Sequence, residues 1–357
     1  MKTKKKILIF SHEYPPCLGG AGSVAFSLKK CLEKKEYEVT VLTSRRTHRD
    51  PNKNINTISL PNQLWFLGYR KWLRKHIYEF DLIICNDPAA IYNAGAFFSR
   101  EQLRKTICFI HGEEKYLYEN KIWLKLIKFK KRFLQAVNNS KTSIFVSEYI
   151  RARYYELYDL EKKINQVVIH SGVELKERNN NSYSKNSNNI IKFLSVSRIV
   201  KGKGYDKMFE VFLKLSEEID NFEWNIIGDG SYLAEFKRKV SLSTLKDKVF
   251  FHGAVRRDRL PDFYVENDYF ILLSELNESY GLSYLEAASF GLPTIGYNRA
   301  GVPEAFSHIT KSLLLDYNKK THDLSADIQS FILNSDNVSS ECLRSEKEFI
   351  SEVEKYV

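Results

Sequence analysis

No stretch of this 357-residue sequence approaches the ~20 consecutive apolar residues that a membrane-spanning helix needs, although 43% of its residues are hydrophobic. The apolar content is dispersed into short runs, so no spanning helix is expected. The amino terminus, Met1-Lys2-Thr3-Lys4-Lys5-Lys6, opens onto only four apolar residues, Ile7 to Phe10, too few for the core of a secretory signal. A cytoplasmic protein is expected. Cysteine is scarce: Cys17, Cys31, Cys85, Cys108 and Cys342 are scattered, odd in number and without a Cys-x-x-Cys pair. Neither a disulfide framework nor a zinc site is indicated, and reduced, mostly buried thiols are expected instead.

What is present suits two domains of roughly 150 residues each, with 28% charged and 13% aromatic residues, as in a folded protein with a sizeable core. The net charge of +11 is unevenly placed. Residues 1–173 hold 31 Lys and Arg against 16 Asp and Glu, and the remainder holds 24 against 28. The first half therefore expects an anionic partner, nucleic acid or a membrane surface, and the second half does not. No nucleic-acid module or basic-aromatic sheet motif accompanies the charge, which leaves the membrane surface.

Short apolar runs alternate with helical patterns along both halves. Ile7-Leu8-Ile9-Phe10, Val39-Thr40-Val41-Leu42, Leu82-Ile83-Ile84-Cys85, Thr106-Ile107-Cys108-Phe109-Ile110, Ser143-Ile144-Phe145-Val146 and Gln166-Val167-Val168-Ile169 read as buried parallel strands. The polar stretch 174–189 reads as a linker. Beyond it, strands are expected at 191–196, 223–227, 249–251, 269–273 and 293–296, with helices at 205–219, 231–241, 257–266 and 282–290. The expected fold is α/β: two Rossmann-like domains, 1–173 and 190–339, facing each other across a cleft. Residues 340–357 form an amphipathic helix by pattern, which could cross back to the first domain.

In open α/β sheets ligands gather at the carboxyl ends of the strands. After the first strand, Gly19, Gly20 and Gly22 allow close approach to a phosphate or sugar. Gly20-Ala21-Gly22-Ser23-Val24-Ala25 also fits a dinucleotide fingerprint, and Ser44-Arg45-Arg46 could suit a 2′-phosphate, so an NADP-dependent oxidoreductase competes. Against it, eight residues separate the strand from the first glycine. Arg198 and Lys203, with Gly202 and Gly204, form a turn that could fold both cations onto a diphosphate, or be an ordinary solvated turn. Gly228-Asp229-Gly230 leaves room for a base or ribose. The sharpest signal is 278–286: a helix starts near Gly281, Leu282 and Ser283, whose N–H groups can hold a phosphate oxygen, with Glu278 before it and Glu286 one turn on.

Glu278 and Glu286 reproduce the E-x7-E motif, and the chain resembles the large retaining glycosyltransferase family 4, with two Rossmann-like lobes in the GT-B fold. Further matches run in the family's order over nearly the whole chain: Gly19-Gly20, His111-Gly112, Ser147, Gly172-Val173, Arg198 with Lys203-Gly204, Gly228-Asp229-Gly230 and Gly301-Val302-Pro303-Glu304. The resemblance implies that Arg198 and Lys203 neutralise the donor diphosphate, Glu286 binds ribose hydroxyls, Glu278 holds the donor sugar, and Gly20 lets the first lobe approach the diphosphate. His111 would sit beside the sugar near the acceptor, although a histidine at a strand end is often only structural. Ser283, Ser171 and Tyr280 stand where the family usually has Pro, Asn and Phe. No Asp-x-Asp occurs, so no metal or other cofactor is expected and fixed cations take the metal's place. A binding-only descendant of the fold remains the alternative to an enzyme.

The basic charge concentrates in two stretches of the first half. Lys121, Lys125, Lys128 and Arg132 are spaced for one helical face within 115–134, and residues 64–75 mix Trp65 and Trp72 with cations. Both read as an edge that docks on anionic membrane. The expected protein is thus peripheral at the inner face of the cytoplasmic membrane. It would use a nucleotide sugar, UDP-linked ahead of GDP-linked, and a glycan or undecaprenyl-type lipid-linked acceptor in surface polysaccharide assembly.

Overall fold

The computed structural model describes residues 4–15, 20–45, 54–59, 65–114, 117, 119, 121–158, 160–175, 190–334 and 343–357. Two compact units are present, one of residues 1–171 with 346–357, the other of residues 172–345. The expected linker, 174–189, lies almost wholly outside the described residues.

In the first unit the order is β1 (Lys6–Phe10), α1 (Gly20–Lys34), β2 (Glu38–Ser44), β3 (Ile55–Ile58), α2 (Trp65–His76), β4 (Leu82–Cys85), α3 (Pro88–Phe97), α4 (Arg100–Leu103) and β5 (Thr106–Ile110). It continues with α5 (Ile122–Leu126), α6 (Phe129–Asn139), β6 (Thr142–Phe145), α7 (Glu148–Tyr158) and β7 (Gln166–Val168). All strands are parallel, in the order β3-β2-β1-β4-β5-β6-β7. Central strands covered by helices on both faces are mostly apolar, and β4 and β5 are buried at every position, with the Thr106 hydroxyl satisfied by the Gln102 carbonyl.

The second unit runs β8 (Ile191–Val196), α8 (Tyr205–Leu215), β9 (Phe222–Ile227), α9 (Leu233–Ser241), β10 (Val249–Gly253), α10 (Leu260–Glu266), β11 (Tyr269–Leu272), α11 (Leu282–Ser289), β12 (Thr294–Tyr297), α12 (Val302–Phe306), β13 (Ser312–Leu315) and α13 (Thr321–Leu333). Its parallel sheet is ordered β10-β9-β8-β11-β12-β13. The last strand and helix, β13 and α13, and the short edge strand β3 add to the elements expected from the sequence. Residues 257–259, expected to open a helix, form a separate 3-10 turn before α10.

The terminal helix α14 (Glu346–Glu354) belongs to the first unit. Phe349, Ile350 and Val353 enter the same core as Ile9, Val24, Leu28 and Phe109, each burial contributing about 1.5–3 kcal/mol. Lys5 and Lys141 donate to the carbonyls of Val357 and Tyr356, which ties the chain end to the sheet.

The single basic helix face expected over 115–134 does not form. Lys128 adopts φ 54 and separates α5 from α6, so Lys121 caps α5, Lys125 lies within it and Arg132 lies in α6. Arg132 instead donates to Gln135 at 3.0 Å. Trp65 and Trp72 are not free aromatic edges either. Trp65 packs edge-on against Tyr92 at 5.7 Å, and Trp72 meets His76 at 4.7 Å and Phe80 at 6.2 Å. Apolar groups of α2 gain more by packing on β1 and α3 than by staying in water.

Candidate functional site

In the second sheet the chain winds outward from β8 through β9 to β10, then returns to β11 on the other side of β8. The carboxyl ends of β8 and β11 therefore flank a reversal of strand order, where open α/β sheets bind ligands. The two loops that leave these ends are joined, because the Gly202 carbonyl accepts from Glu275 N at 2.8 Å and Leu276 N at 3.0 Å. That junction brings Lys203 to Glu278: Nζ lies 2.5 Å from Oε1, with only 13% and 18% of the two side chains exposed. Seventy-five positions separate them in sequence. Arg198 is exposed and makes no ion pair among the described residues, so one cation of this loop is neutralised and the other is not. The Gly228–Gly230 turn closes against the same loop through Ile199 N and Asp229 O at 2.9 Å.

Helix α11 starts where expected. Gly281, with φ 101, precedes it, and the N–H groups of Leu282 and Ser283 lie in its first turn, where a helix has no carbonyls of its own to offer them. Glu278 is fixed on the other side by its carbonyl, which accepts from Gly301 N at 2.9 Å. The neighbouring Ala300 sits at φ 53, a left-handed conformation that costs an alanine about 1 kcal/mol, so strain is stored beside Glu278. Glu286 does not join Lys203. Its Oε1 lies 3.6 Å from Arg257 Nη2, and burial raises its carboxyl above the usual range, with Arg257 pulling the other way.

The first sheet has its own reversal, between β1 and β4. Asp87, directly after β4, accepts from Ala90 N at 2.9 Å as the cap of α3, and also from His12 N and from Glu13 N at 3.1 Å. One carboxylate thus starts a helix and shapes the loop after β1. Asn86 Nδ2 donates to Ala21 O at 2.8 Å and Ser11 Oγ at 3.1 Å, so its Oδ1 is the acceptor for His111 Nε2 at 3.1 Å. His111 therefore carries its hydrogen on Nε2. Gly19 lies outside the described residues, and Gly20 opens α1 itself. The dinucleotide reading fails on this geometry: Gly20 and Gly22 are helical, and the nine residues 11–19 separate them from β1, whereas a dinucleotide turn puts its first glycine in the bend between strand and helix.

Two titratable groups here pull stability in opposite directions with pH. Desolvation pushes His111 down from 6.5 to about 4, partly offset by Asn86, so stability is lost as pH falls through that window. Desolvation, reinforced by Asp87 and Glu13, pushes Glu114 up from 4.5 to about 8, so stability is lost as pH rises through that range. The two slopes oppose each other between 4.5 and 6.5, and above 6.5 only Glu114 acts. Scanning calorimetry should show Tm falling from pH 6.5 to pH 8, with Glu114→Gln removing the fall. An equal fall in that variant would acquit Glu114.

Several residues of these sites carry no motif of their own. Asn86 and Asp87 could have been found by reading the end of every strand, since they follow Leu82–Cys85 directly. Glu114 stands three positions after His111. Arg257 and Tyr264 had no sequence signal, because their partner Glu286 is distant in the chain.

Two parallel open sheets, with an ion pair and a helix start at the strand reversal of the second, match the architecture of GT-B glycosyltransferases. The Glycosyltransferase Family 4 model matches residues 18–177 and the Glycosyl transferases group 1 model matches residues 176–348. The chain belongs to glycosyltransferase family 4. It is 25% identical over 367 residues to alpha-monoglucosyldiacylglycerol synthase of Streptococcus pneumoniae, covering 95% of this chain and 80% of that one. The solved structure of Anabaena HepE in complex with UDP and glucose superposes with a TM-score of 0.74 at 17% identity, covering 98% of each chain. WaaG, a glycosyltransferase involved in lipopolysaccharide biosynthesis, superposes with a TM-score of 0.69 at 15% identity, covering 98% of this chain and 94% of that one.

Proposed function

We propose that this glycosyltransferase takes a sugar from a nucleoside diphosphate, UDP-linked in the first instance, and transfers it with retention to a glycan or lipid-linked acceptor of bacterial surface polysaccharide or lipopolysaccharide. The observation that carries the reading is the Lys203–Glu278 pair at 2.5 Å, beside the start of α11. Glu278 holds donor-sugar hydroxyls, and the ammonium next to it, with Arg198 and the Leu282 and Ser283 N–H groups, meets the charge that grows on the leaving diphosphate. These fixed cations do the work of a metal ion. A carboxylate already paired with an ammonium is a poor nucleophile, which favours a sugar-binding role for Glu278 over a covalent one. His111, neutral at pH 7, serves the acceptor side from the first unit.

Incubation with labelled UDP-glucose, UDP-galactose, UDP-N-acetylglucosamine and GDP-mannose, with diacylglycerol and an undecaprenyl-linked sugar as acceptors, tests this. Transfer with retained anomeric configuration by NMR is expected. Inversion, or failure to bind or turn over any donor, overturns it.

A lipid-linked acceptor would be met at the cytoplasmic membrane face. The surface that favours this is α5 alone, where Ile122 and Leu126 are each 77% exposed one turn apart, next to Lys121, Lys125 and Lys128. Cosedimentation with anionic phosphatidylglycerol vesicles at low salt should be lost in Ile122→Ser/Leu126→Ser. Equal binding by that variant would remove α5 from the reading.

A further inference from the structure

Glu286 has companions that the E-x7-E spacing does not announce. Of the three arginines at the 3-10 turn before α10, Arg256 just precedes the turn and pairs with Asp258 at 3.0 Å, and Arg259 pairs with Asp262 at 3.0 Å. Arg257 alone reaches α11, at 3.6 Å from Glu286. From α10, Tyr264 lies within electrostatic reach of the same carboxylate, its ring stacked on Phe290 at 5.0 Å and 14°. Only 2% of Tyr264 is exposed, and its hydroxyl has no hydrogen-bond partner among the described residues. Buried hydroxyls are costly to leave unpaired. Its hydroxyl is thus a donor still to be satisfied in the neighbourhood of Glu286.

We infer that Arg257 and Tyr264 are positioning residues for Glu286, presenting its carboxylate to the cis 2′- and 3′-hydroxyls of the donor nucleotide and thereby selecting ribose over 2′-deoxyribose. The inference rests on the ribose role that the family resemblance implies for Glu286 within the proposed donor site. A carboxylate accepts from both hydroxyls of a cis diol only when ionised and correctly turned. Burial opposes ionisation, and Arg257 opposes burial. The Arg257 guanidinium favours the ionised carboxylate across the 3.6 Å contact, and the unpartnered Tyr264 hydroxyl is buried in the same neighbourhood. A 2′-deoxy nucleotide leaves one acceptor lone pair unmet, which sites built for a hydroxyl penalise. The charged or titratable groups set against Glu286 are Arg257 from the 3-10 turn and Tyr264 from α10, and Tyr264 stays neutral because burial raises it well above its ordinary range.

Titration calorimetry with UDP, 2′-deoxy-UDP, GDP and 2′-deoxy-GDP on the full chain, from pH 5.5 to pH 8, tests this. The wild type should prefer the ribonucleotide by on the order of 10-fold. Arg257→Ala should reduce that preference to about 3-fold or less and shift the acid loss of affinity to higher pH, with Arg257→Lys restoring part of both. Tyr264→Phe should weaken the preference while its Tm holds or rises, which a packing role would not produce. If the wild type discriminates and both Arg257→Ala and Tyr264→Phe discriminate equally well, with an unmoved pH profile, the positioning role is overturned while the ribose role of Glu286 stands. A wild type that binds without discriminating overturns both. A wild type that binds none of the four overturns the donor reading and this inference with it.

Discussion

Lys203→Ala is expected to lower kcat by on the order of 100-fold or more while changing KM far less, measured as nucleotide release from the donor that the wild type uses. The ammonium matters most when charge builds on the leaving diphosphate, so its loss is felt in the transition state rather than in donor binding. Arg198, exposed and unpaired among the described residues, contributes more evenly to both states. The complication is the 2.5 Å pair with Glu278, because removing Lys203 leaves a mostly buried carboxylate without its counter-charge. Stability should therefore fall by about 1–3 kcal/mol. Lys203→Ala/Glu278→Gln separates the two effects. The double variant should regain most of the lost stability and none of the lost turnover. Near wild-type kcat in Lys203→Ala would remove the residue from the reaction.

The alternation of apolar runs and helical patterns was enough to place most strands of both sheets, because a parallel strand buried on two faces is dominated by apolar residues. Short edge elements were harder. β3 is only partly buried at all four positions, so Ile55–Ile58 carries no continuous apolar signature. Periodicity misled over 115–134, where cations spaced for one face are interrupted by the left-handed Lys128; no proline or glycine marks that break. At the site, Glu278, Lys203 and the α11 start were legible because each sits at a strand end. Convergence was not legible. The Glu286–Arg257 contact and the Asn86–His111 hydrogen bond join residues whose nearness depends on how strands are ordered, and local pattern says nothing about that order. The tautomer of His111 is likewise set by Asn86, which is positioned by a backbone carbonyl on α1.

Gly204→Ala should be the most damaging single methyl group in the second unit. Gly204 stands at φ +81 before α8, and a Cβ added there would lie 1.8 Å from the Leu273 carbonyl oxygen. Both parties are backbone: Gly204 O accepts from Met208 N at 2.8 Å in the first turn of α8, and Leu273 directly follows β11. Neither can yield by a rotamer change, so relief requires the two loops that carry Lys203 and Glu278 to separate. The expected loss is about 4 kcal/mol, beyond the range of ordinary substitutions, or a fall in Tm of roughly 10 °C for a unit of this size. Gly253→Ala supplies the control. It has φ +69 but nothing within 4 Å of the added Cβ, so it bears the left-handed backbone cost without the collision, about 1 kcal/mol. Chemical denaturation of the two variants tests the difference. If Gly204→Ala is no worse than Gly253→Ala, the close approach of the β8 and β11 loops is not what holds Lys203 against Glu278. If the expected gap appears, the ion pair depends on a glycine that takes no part in the chemistry.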